Sequence, residues 1–93
     1  MTFTKDNVIV IFDYSESCKN VYKTFKVYIN DKKSNVVGLR KYLTNKERLP
    51  DICTKNTYFF HSLSSANQRR NREKNIKSEV CRYFESENFV VTE

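Results

Sequence analysis

Arg69, Arg70 and Arg72 put three guanidinium groups into four residues, directly behind Ser65-Ala66-Asn67-Gln68. The S-x-x-Q pattern is a capping box and starts a helix. Cations near that end oppose the positive pole of the helix macrodipole, at about 0.3–1 kcal/mol each. Glu73 offsets part of this through i,i+4 pairs with Arg69 and Lys77. A phosphate would reverse the sign, because open amides and arginine forks both favour it. The chemistry on offer is anion binding, with Lys74 and Lys77 continuing the series. The alternative is an ordinary solvated basic face, or one that docks on an acidic protein.

A second basic group comprises Lys26, Lys32, Lys33, Arg40 and Lys41. Residues 19–48 hold nine Lys/Arg against Asp31 and Glu47, whereas 83–93 hold Glu85, Glu87 and Glu93 and no base. This polarity, with a net charge of +6, points to an anionic partner, nucleic acid or an acidic protein surface. Composition tempers the point. Ten asparagines, eleven lysines, one alanine and one glycine are what an AT-rich coding genome produces, as in many viruses, phages and some bacteria. Codon bias accounts for lysines more easily than for the arginines.

The run Ala66-Asn67-Gln68-Arg69-Arg70-Asn71-Arg72-Glu73-Lys74 resembles the arginine-rich RNA-binding helices of phage antiterminators. That resemblance covers nine residues, implies contact with an RNA hairpin, and lacks the second Arg-Arg pair of those helices. Tyr22 and Tyr28 share the face of Lys26 on an extended segment. This aromatic–basic–aromatic spacing suits a single-stranded backbone.

Catalysis finds little support. Asp13, Ser15 and Ser17 follow an apolar run, and this D-x-S-x-S order resembles the metal-ion-dependent adhesion site of von Willebrand A-type domains. The resemblance implies Mg²⁺ held by one carboxylate and two hydroxyls. Those domains are much longer and add a distant Thr and Asp, so the stretch reads as a polar turn and no metal is expected. Cys18, Cys53 and Cys81 form no CxxC pair, and with His61 they match no familiar zinc spacing. Cys18 with His61 is the only cysteine-based nucleophile pair, and nothing local activates the thiol. One glycine rules out a Gly-rich phosphate loop. The expectation is a non-enzymatic protein without a cofactor.

The elements that must position these residues follow from patterning. Residues 8–14 (VIVIFDY) read as a central strand buried on both faces. Residues 21–29 are rich in β formers and read as a second strand. NDKKSN is a turn-like cluster. Ser34 or Asn35 caps a short helix over 36–44, which Gly38 weakens by about 1 kcal/mol. Pro50 opens a loop, 57–63 (TYFFHSL) reads as a third strand, and a long helix runs over about 65–86. Ile76, Val80, Tyr83 and Phe84 form its core stripe. Residues 66–75 carry almost nothing apolar and are expected to run over the sheet edge or to be lightly attached. Residues 89–92 make an edge strand, open to another sheet or to a homodimer.

The expected fold is one α+β domain over residues 1–93. It has a three- to four-stranded sheet with two helices on one face, in the order β-β-α-β-α-β. No apolar run approaches the roughly 20 residues of a membrane span, and no signal layout opens the chain. An intracellular location is expected.

Overall fold

The computed structural model describes residues 1–17, 20–55 and 65–92. Over these described residues it is an α+β fold with five strands and three helices. The strands are β1 (Thr2–Lys5), β2 (Val8–Glu16), β3 (Val21–Ile29), β4 (Lys32–Ser34) and β5 (Val90–Thr92). Between β4 and β5 come α1 (Val36–Arg40), α2 (Asp51–Thr54) and α3 (Ala66–Ser86). The sheet is antiparallel, in the order β4-β3-β2-β1-β5. Among the described residues, no helix is long and apolar enough to cross a membrane.

Two-residue turns set the register of the meander. Asp6 takes φ 51° between β1 and β2, and Asn30 and Asp31 take φ 52° and 62° between β3 and β4. Two consecutive left-handed residues make a type I′ hairpin, whose twist matches that of the strands. The polar cluster expected as a turn is therefore a turn followed by a strand, Lys32–Ser34.

β2 is central, as expected, but only one of its faces is in the core. Val8, Val10, Phe12 and Tyr14 are buried, Ile9 and Ile11 are half-buried, and Asp13 and Ser15 are exposed. The apolar run looked two-sided because Ile9 and Ile11 are shielded by cross-strand neighbours, Tyr28 and Thr4 beside Ile9 and Lys26 and Thr2 beside Ile11. The helices cover the other face. α1 and α2 lie against β3, and α3 lies against β2 and β5.

Among the described residues the order is four strands, three helices and a last strand, which adds β1, β4 and α2 to the expected β-β-α-β-α-β. β1 was missed because TFTK is too short to show a period. β4 was missed because an exposed edge strand of Lys-Lys-Ser carries no apolar signal. α2 is a single helical turn behind Pro50, in a segment that read as a loop. α1 ends at Arg40 rather than at 44, with Asn35 Oδ1 accepting from the Gly38 amide at 3.0 Å. The strand expected over 57–63 lies outside the described residues. The edge strand expected over 89–92 is β5, which begins one residue later.

α3 carries the expected capping box, with Ser65 Oγ accepting from the Gln68 amide and Gln68 Oε1 from the Ser65 amide. Its other end is a Schellman motif. The Phe89 amide reaches the Phe84 carbonyl at 2.9 Å and the Asn88 amide reaches that of Glu85 at 3.0 Å. The Phe84 and Phe89 rings meet edge-on at 5.2 Å, the apolar contact that accompanies such caps. Asn88 holds the left-handed position with φ 68°. Asn88→Gly removes the Cβ cost there and is expected to raise stability by up to about 1 kcal/mol. The check is a higher urea midpoint at unchanged slope; a lower midpoint would contradict this account of the cap.

Candidate nucleic-acid interface

The arginines of α3 separate by direction. Arg72 points back to the sheet. Its Nη2 lies 2.6 Å from Glu16 Oε1 and its Nε donates to Glu16 Oε2 at 2.9 Å, a two-pronged pair at the end of β2. The Glu16 side chain is 3% exposed, so this carboxylate sits under the helix rather than in water. The Tyr14 hydroxyl donates to the same Oε2 at 3.1 Å. Burial first, and then the Glu16 charge and hydrogen bond, push that phenol up to about 12. The hydrogen bond to Glu16 likewise raises Arg72 above its ordinary value. Of the two expectations for residues 66–75, that they run over the edge is corrected: Arg72 ties this half of the helix to β2.

Arg69 is half-buried on the line of the helix that faces the sheet. Arg70 and Lys74 are exposed. Lys77 is half-buried, 3.9 Å from Glu73. At 3.6 residues per turn, Arg70, Lys74 and Lys77 fall within about 60° of one another, on one flank of α3. Beside this flank lies a cleft of about 700 Å³ lined by Met1, Lys74, Lys77, Ser78, Cys81 and Arg82. Among the described residues, the charged side chains of that lining are all basic. Arg82 gave no signal in the sequence because it stands ten residues beyond Arg72, and the cleft groups it with Lys74 and Lys77.

The second basic group divides between two surfaces. Ser15↔Tyr22, Asp13↔Thr24, Ile11↔Lys26 and Ile9↔Tyr28 are directly opposed between β2 and β3, and Tyr28↔Lys33 between β3 and β4. Opposed residues share a face, and this is the face without helices. Lys26 and Lys33 are exposed on it, Tyr22 is 60% exposed and Tyr28 is half-buried. Lys32 pairs with Ile29 and so lies on the helix side at the sheet edge, while Arg40 and Lys41 close α1; all three are exposed. The fold thus brings Tyr22, Lys26, Tyr28 and Lys33 together. It sets them on the opposite side of the sheet from Arg70, Lys74 and Lys77.

No protein-family model, curated protein or solved structure matches this chain.

The chemistry therefore rests on the side chains themselves. Asp13 and Ser15 lie on the open face of β2, and Ser17 serves the next turn, its hydroxyl accepting from the Asn20 amide at 3.1 Å. Among the described residues, no three His, Cys, Asp or Glu side chains converge as metal ligands. Cys53 is a buried thiol that burial pushes up to about 12, which keeps it protonated and unreactive. Cys18 and His61 lie outside the described residues.

Proposed function

We propose that this chain is a small, non-enzymatic regulatory protein of the kind encoded by viruses, phages and mobile elements, and that it binds nucleic acid inside the cell through phosphate contacts. The observation that carries the reading is the α3 flank of Arg70, Lys74 and Lys77, set beside a cleft lined by Lys74, Lys77 and Arg82. Arg70 and Lys74 sit in water. Lys77 pairs with Glu73 at 3.9 Å, a link of about 0.2–0.5 kcal/mol that a phosphate can replace. Arg72 contributes by fixing the helix rather than by touching the ligand. Lys32, Arg40 and Lys41 add positive potential from the far edge of the helix layer, which steers an anion without specifying a sequence.

The reading predicts steep salt dependence. Single-stranded and duplex oligonucleotides, titrated at low salt by fluorescence anisotropy, are expected to bind. Combined Arg70→Ala, Lys74→Ala and Lys77→Ala should reduce the log–log salt slope by about three on duplex DNA. Absence of binding to DNA and RNA of every form at low salt overturns the proposal.

A second reading is favoured by β5. Val90–Thr92 forms an edge without charge, and Val90 is 65% exposed. The opposite edge, β4, is guarded by Lys32 and Lys33, a common protection against pairing. An unguarded edge suits strand addition to a partner protein or to a second copy. A chain that binds no nucleic acid but sediments as a dimer would support this reading over the first.

A further inference from the structure

We infer that the open face of the sheet is a platform for single-stranded RNA, with bases stacking on Tyr22 and Tyr28. This rests on the nucleic-acid reading above and adds a second surface, with its own ligand class, on the opposite side of the sheet from the α3 flank.

An antiparallel sheet packed on one side commonly turns a polar face to water. This one instead presents Tyr22, Lys26 and Tyr28 on a single strand, with Ile9 and Ile11 beside them. Tyr22 is 60% exposed although it could have been polar at no cost to the core. Tyr22 and Tyr28 are six residues apart on β3, about 20 Å along an extended strand. At the stacked rise of 3.4 Å, that length holds at most about six nucleotides. Lys26 lies between the two rings and Lys33 lies directly across from Tyr28, so cations flank the path of the backbone. Rings with interspersed cations are what an unpaired strand requires, because every base has a stacking face. A duplex keeps its bases stacked inside and gives the rings nothing to stack on.

Charge complementarity gives the site its limits. Among the described strand residues of this face, Asp13 is the acid, and it lies 3.2 Å from the Met1 amino group. Asp6 and Asp31 border Ile9 at the turn end, where they repel a backbone and confine it to the side of Lys26 and Lys33. The hydroxyls favour RNA over DNA. Thr2 and Thr4 on β1, Ser15 on β2 and Thr24 on β3 share this face. They and the Asp13 carboxylate can exchange hydrogen bonds with ribose 2′-hydroxyls, the group by which a protein tells RNA from DNA.

The test is anisotropy with a ten-nucleotide oligo(U), the matching oligo(dT) and an RNA duplex. Tyr22→Ala and Tyr28→Ala are each expected to weaken oligo(U) binding by about five- to 150-fold. Duplex binding should stay within twofold, and Tyr22→Phe should retain the affinity. Lys26→Glu is a second probe at an exposed position outside the core; it should also weaken oligo(U), with an unchanged urea midpoint as the check on folding. If oligo(U) binds and Tyr22→Ala and Lys26→Glu leave it unchanged, the platform is overturned while the α3 reading stands. If oligo(dT) binds as tightly as oligo(U), the assignment to RNA is overturned. If nothing binds at all, the nucleic-acid reading fails and takes the platform with it.

Discussion

Phe84→Ala is expected to cost about 3–5 kcal/mol, the range for emptying a buried aromatic site. Phe84 is fully buried. Its ring stacks on Phe3 of β1 at 4.5 Å with 18° between planes, and meets Phe89 edge-on at 5.2 Å. Phe25 of β3 lies at 6.5 Å. One side chain of α3 thus holds the helix to β1 and β3 and also closes its own C-terminal cap. Truncation opens a space bounded by sheet on one side and by the Schellman turn on the other, and neither can move in to fill it. A domain of this size has a total stability of about 5–14 kcal/mol, so the loss would remove a large share of it. Phe84→Leu keeps most of the volume and should cost about half as much or less. Urea denaturation of both variants is the check. A Phe84→Ala loss below about 1 kcal/mol would mean that the ring is not the junction described.

Phe84 and its stripe were legible in the sequence because a 21-residue helix repeats its apolar period often enough to be seen. The capping box at Ser65, the β-branched runs of β2 and β3, and the edge position of β5 were legible for similar local reasons. The aromatic–basic spacing of Tyr22, Lys26 and Tyr28 was legible because a strand has a period of two. What escaped was either too short to show a period or depended on pairing over a long sequence distance. β1 and β4 are stable only as neighbours of β2 and β3, and four or three residues carry no period of their own. The Arg72–Glu16 pair joins positions 56 apart. Its signal was present but indirect: Glu16 has the same parity as Val8, Val10, Phe12 and Tyr14, so a carboxylate falls on the buried face and calls for a cation. Glu87 gave no signal at all. It read as part of an acidic tail, and the structure buries it.

Glu87→Gln and Glu87→Ala should both destabilise the fold, and the first should do so in a pH-dependent way. Glu87 is 3% exposed at the C-terminal end of α3, where the helix dipole disfavours an acid. Its place is explained by the loop after α1. Its carboxylate accepts from the Thr44 amide at 2.6 Å and the Asn45 amide at 3.0 Å. The same loop is held by the Tyr83 hydroxyl, which donates to the Asn45 carbonyl at 3.1 Å, and Lys5 Nζ donates to the Glu87 carbonyl at 3.0 Å. Burial alone would raise this carboxyl; the two amide bonds, helped by the Thr44 hydroxyl and the Lys5 charge, outweigh it and hold the group below its ordinary value. Alanine leaves two partly buried amides without an acceptor, at about 2–4 kcal/mol in all. Glutamine keeps one acceptor oxygen and loses the charge, at about 1–2 kcal/mol. The sign of the pH effect follows from the lowered value. Stabilisation by the ionised carboxylate is complete above the unfolded value, about 4.3, and is lost as pH falls through the lower folded one. The gap between the native chain and Glu87→Gln should therefore be constant from pH 6 to 7 and shrink in acid. A gap as wide at pH 2 as at pH 7 would show that packing, not the charge, makes Glu87 valuable; a gap that closes assigns the loop's anchoring to a buried, charged acceptor that joins the end of α3 to the segment following α1.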